Sequence, residues 1–119
     1  MKNQTKFTLA LFFWLAVSPA AMAASAYDGS WNLTFITQRG ACEPSYDFVV
    51  NISNGIVSHP NLLKLRGRVA RSGSAYASVS VGEKYASGSG KLTRVSGRGI
   101  WSGRSGNARC AGYWTAQRN

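Results

Sequence analysis

Tyr46-Asp47-Phe48-Val49-Val50-Asn51-Ile52-Ser53-Asn54-Gly55-Ile56-Val57 is the stretch that decides the fold. Tyr46, Phe48, Val50 and Ile52 recur at every second position, the period of a strand with one buried face, while Asp47, Val49, Asn51 and Ser53 fall on the other. Asn54-Gly55 then supplies the positive φ angles of a type I′ turn, and Ile56-Val57 starts the return strand. Working outward, Gly29–Thr37 places Trp31, Leu33 and Phe35 on one face. His59-Pro60-Asn61 interrupts the return strand, because Pro60 has no amide hydrogen for a ladder. The chain resumes as Lys64–Arg71, with Leu65, Gly67 and Val69 inward and Lys64, Arg66 and Arg68 outward.

Three more alternating runs follow: Ala75 to Val81 after a Ser72-Gly73 turn, Tyr85–Leu92 after Gly82-Glu83, and Gly97–Ser102. A polar loop is expected at Gly103–Arg109 before a last strand at Cys110–Gln117. No helix of useful length fits after residue 28. The spacing predicts an all-β domain, a small antiparallel meander barrel or sandwich of seven to eight strands. At 119 residues the chain has room for one such domain.

The first residues have a different character. Lys2 and Lys6 precede the apolar run Phe7–Val17, and Ala21-Met22-Ala23 is a small-residue cleavage site, so residues 1–23 read as a secretory signal peptide. The run is too short for a helical span, which needs about 20 residues, and no second run of that length follows, so no transmembrane span is expected. Cleavage leaves residues 24–119 as a single β domain in the periplasm or secreted. It also takes Lys2 and Lys6 from the 14 Lys and Arg, lowering the net charge from +10 to +8.

Export settles how the cysteines read. Cys42 and Cys110 are the only two, and an oxidising compartment favours a disulfide between them. A metal site fails on ligand count, since His59 is the only other soft ligand after cleavage. Trp31, Trp101 and Trp114 each follow a glycine two positions earlier (Gly29, Gly99 and Gly112), and are expected in the core, each glycine making room for its own indole.

The tryptophan of the first strand and Arg118, expected just after the last strand, resemble the calycin pattern, in which such a pair closes a small up-and-down barrel. More specifically, Asp28-Gly29-Ser30-Trp31, Gly40-Ala41-Cys42, Asn54-Gly55, Gly97-Arg98-Gly99-Ile100-Trp101-Ser102-Gly103 and the closing Cys110-Ala111-Gly112-Tyr113-Trp114-Thr115-Ala116-Gln117-Arg118 resemble a group of short exported bacterial proteins. The resemblance covers roughly residues 27 to 118 and implies a fold more than an activity. Some members carry a haem-utilisation or adhesion label. A haem would need an axial ligand from His59, next to a proline, or from Met22, which export removes, so no cofactor is expected. Calycin likeness alone would imply a ligand carried among the tryptophans.

The chemistry on offer is sparse. Asp28, Glu43, Asp47 and Glu83 are the four carboxylates, and Gly88-Ser89-Gly90 lies in a strand rather than at a nucleophile elbow, so the domain is expected to be non-catalytic. Charge is the remaining signal. Nine of the twelve cations left after cleavage are arginines, suited to bidentate capture of phosphate, sulfate or carboxylate. Lys64, Arg66, Arg68, Arg71 and Arg98 are the expected anion-binding residues, with Arg94, Arg104 and Arg109 near the last hairpin. Export argues against nucleic acid and for anionic polysaccharide or lipid head groups as partners. The alternative is a small secreted inhibitor or accessory domain that docks a protein partner through Ser58–Leu63 or Gly103–Arg109.

Overall fold

The computed structural model describes residues 25–119, and the expected signal peptide lies outside the described residues. A short 3-10 turn at Ser25–Tyr27 leads into eight strands: β1 (Gly29–Arg39), β2 (Ser45–Ser53), β3 (Ile56–Ser58), β4 (Arg66–Val69), β5 (Ser74–Val81), β6 (Lys84–Leu92), β7 (Ser96–Ser105) and β8 (Ala108–Arg118). Each pairs antiparallel with the next, and β8 returns to β1, closing a barrel in simple up-and-down order. Closure removes the unpaired edges that a sandwich would leave.

Asn54 and Gly55 adopt the expected positive φ angles, 52° and 78°. Two expected boundaries are corrected. Gly103–Arg109 is not a loop: β7 and β8 run on to a two-residue turn at Gly106-Asn107, with Gly103 in register with Cys110 and Arg104 with Arg109. Conversely, β4 is only four residues long, and Lys64 lies in the preceding turn, where the Leu65 amide donates to the Leu62 carbonyl.

The two ends of the barrel are closed differently. At one, Trp31 is fully buried, its Nε1 donates to the Tyr27 carbonyl at 2.8 Å, and the Arg118 guanidinium lies 5.5 Å from the centre of its ring. Arg118 is the last residue of β8 rather than a residue beyond it. Its guanidinium donates to the carbonyls of Ala26 and Arg94, both at 2.9 Å, and of Asp28, so one side chain ties the entering chain to the β6–β7 turn. At the other end Cys42, in the β1–β2 loop, is bonded to Cys110 on β8 with a Cα–Cα distance of 6.0 Å.

Between these ends the indoles and glycines interlock. Gly99 is in register with Trp114, which lies over it, and Gly112 with Trp101, so each tryptophan is paired with the glycine of the other's triplet, not its own. Trp114 crosses Gly99 to reach β6, where its Nε1 donates to the Ser89 carbonyl at 3.3 Å and a Cβ on Gly90 would collide with its ring. Trp101 spans β8 in the opposite direction and donates to the Ile36 carbonyl on β1 at 3.0 Å. That carbonyl sits beside an irregularity in the β1–β8 register between Thr37 and Arg39. Phe35 packs edge-on against both Phe48 and Trp101. The β5–β6 side of the bore carries Ala75, Ala77, Ala86 and Gly88, and a cavity of about 110 Å³ is bordered by these small residues and by Trp31, Phe35, Phe48 and Trp114.

Two outcomes test this packing. Reduction of the disulfide, whose cysteines are 68 positions apart, removes a cross-link worth about 4 kcal/mol in the chain-entropy account, and thermal unfolding should fall by roughly 15–30 °C. Gly112→Ala drives a methyl group into the Ile36 carbonyl and should cost about 2 kcal/mol or more by denaturant titration. Thr115→Ala, exposed on the same strand, should cost well under about 1 kcal/mol.

Candidate anion-binding face

Alternation within a barrel wall sends every second side chain outward, and the register decides which of these meet. Arg66 and Arg68 project outward from β4, about 7 Å apart, and both are exposed. Lys64 does not continue their row, because its segment is a turn. Arg71 lies at the Trp31 end in the β4–β5 turn, where its carbonyl accepts from the Tyr27 hydroxyl at 3.3 Å. Arg98 is on β7, three strands from β4 and more than a third of the way round the barrel. The five expected residues therefore do not form one surface.

A different set of cations does converge. Lys91 on β6 is directly in register with Arg98 on β7, and Arg104 on β7 with Arg109 on β8, all four exposed on the outer wall. Directly opposed side chains have Cβ atoms about 5 Å apart, so each pair sets two positive charges against each other, an arrangement that costs stability. Along β7 the pairs are separated by six residues, about 20 Å, bridged by Ile100 and Ser102. Lys91 was not among the residues the sequence singled out. The Lys-Leu dipeptide at 91–92 carries no signal of its own, and only the pairing of β6 with β7 reveals what Lys91 faces.

The carboxylates occupy separate places. Glu43 is in the β1–β2 loop and Glu83 in the β5–β6 turn at the disulfide end, while Asp28 precedes β1 at the Trp31 end. Asp47 faces outward from β2 and accepts from the Thr34 hydroxyl at 2.8 Å. His59 is a turn residue: its Nδ1 accepts from the Asn61 amide at 3.0 Å. Among the described residues no three His, Cys, Asp or Glu side chains group as metal ligands would, and no helix is long and apolar enough to cross a membrane. The cavity of about 110 Å³ in the bore is lined almost wholly by apolar side chains, among them Trp31, Phe35 and Trp114. Of the two segments expected to dock a protein partner, Gly103–Arg109 is the tip of the β7–β8 hairpin, and Ser58–Leu63 is the end of β3 with part of the turn beyond it.

Compared with family models, with curated proteins and with solved structures, the chain matches none.

The opposed pairs give a direct expectation. Lys91→Glu replaces a repulsion with a cross-strand attraction to Arg98 and should raise stability by a few tenths to about 1 kcal/mol at low ionic strength. Thermal unfolding in dilute buffer and again in 1 M salt checks this, since screening should erase most of the gain.

Proposed function

We propose that the protein is an exported, non-catalytic β domain of the periplasm or extracellular space that binds anionic material through the outer face of β6, β7 and β8. The observation that carries this reading is the pair of like-charge contacts, Lys91 with Arg98 and Arg104 with Arg109. Each contact is unfavourable in the free protein and favourable once an anionic group sits between its members, so part of the binding energy is relief of a repulsion built into the sheet. Three of the four are arginines, whose planar guanidinium groups accept phosphate, sulfate or carboxylate in bidentate fashion. The rigid wall adds preorganisation, because the cations are fixed by strand register rather than carried on a mobile loop. The disulfide supports export, since such bonds persist in oxidising compartments.

Heparin chromatography tests the reading. Replacing Lys91, Arg98, Arg104 and Arg109 together by Ser should lower the eluting salt concentration and flatten the dependence of log affinity on log salt by up to about four counter-ions. Replacing Lys64, Arg66 and Arg68 by Ser should have a smaller effect. A larger effect of the β4 set would move the binding face to that strand, and an unchanged elution for both would remove the function.

A further inference from the structure

Between the two cation pairs the outer wall carries exposed Ser89 and Ser102 and, beside them, two large apolar side chains. Ile100 on β7 is 68% exposed and its register partner Tyr113 on β8 is 40% exposed. An isoleucine held in open solvent at the middle of a strand gains nothing from the barrel, whose core lies on the other side of the wall. Along β7, Arg98 lies two residues from Ile100 towards the Trp31 end, and Arg104 four residues from it towards the disulfide end, about 7 and 14 Å away. Lys91 and Arg109 lie beside these arginines on the flanking strands. The face thus has an apolar centre of one aliphatic and one phenolic side chain, with a positive pair at each end.

We infer that this face docks the protein onto an anionic lipid bilayer, resting on the proposed anion-binding role and naming its partner. A convex barrel meets a flat surface along a narrow line of two or three strands, and β6–β8 present their apolar residues in the middle of that line. Lipid phosphates would neutralise the opposed cations, and Ile100 would reach past them to the acyl boundary while the Tyr113 ring rests at headgroup level. Charge complementarity selects an anionic partner, and Ile100 selects a bilayer over a hydrated polysaccharide, which offers an aliphatic side chain no apolar environment to enter. Two such side chains and four cations give reversible, peripheral attachment rather than insertion.

Flotation with vesicles of phosphatidylcholine alone, or with about one-third phosphatidylglycerol, tests the inference when run beside heparin chromatography. The parent protein should float with the anionic vesicles and not with the neutral ones. The variant carrying Ile100→Ser and Tyr113→Ser, both at exposed positions, should keep the parent's melting temperature and heparin elution while losing vesicle affinity by on the order of tenfold. Vesicle binding undiminished in that variant would overturn the inference, as the apolar centre would then contribute nothing. Retention on heparin without flotation would also overturn it and assign the face to an anionic polysaccharide, leaving the anion-binding reading intact. Loss of both heparin and vesicle binding in the parent would remove the two together.

Discussion

Three indoles inside a barrel of eight strands dictate what can lie beside them. In a bore of this size an indole can lie across its neighbouring strand only where that strand offers a small residue. Trp114 over Gly99 meets this condition, Trp101 is paired with Gly112, where the Ile36 carbonyl comes close, and both indole nitrogens find carbonyls on the strand beyond. Trp31 needs a different solution, because it plugs the end of the bore. There the Arg118 guanidinium lies over the ring and its N–H groups are satisfied by three backbone carbonyls. The disulfide holds the opposite end, so the chain is fixed at both extremities of a wall whose β3 and β4 are only three and four residues long.

The parts of this architecture that follow from local chemistry are legible in the sequence. Asn54-Gly55 has one good conformation between two alternating runs, and two cysteines in a chain have one possible partner each. The parts that depend on register are not legible. Gly103–Arg109 looks like a loop because it lacks large apolar residues, yet an inward glycine packed against the Ala86 backbone fills the wall without any. Gly-x-Trp suggests that a glycine serves its own tryptophan, whereas pairing of β7 with β8 exchanges the two. The same limit applies to the site. Lys64, Arg66 and Arg68 form a row if their segment is one long strand, but the turn at Leu62–Leu65 cuts it, and the opposed cations of β6–β8 come from three segments that only pairing unites.

Strand register is therefore the link between packing and surface chemistry. The interlocking of Trp101 and Trp114 with glycines fixes β7 against β8, and the same register puts Arg104 opposite Arg109 and Ile100 beside Tyr113 on the outside. A slip of one residue would turn every side chain to the other face, placing charges in the bore and indoles in water. The core thus specifies the outer face without touching it.

The bore is not completely filled: an apolar cavity within it is bordered by the small residues Ala75, Ala77, Ala86 and Gly88 and equally by Trp31, Phe35, Phe48 and Trp114. Volume left empty in the folded chain is lost when the chain unfolds, so it appears in the pressure response. Unfolding volume changes scale with internal voids, so the cavity of about 110 Å³ favours the unfolded chain under pressure. Hydrostatic compression should therefore act on the bore as a whole, because the aromatic and the small side chains border one and the same void.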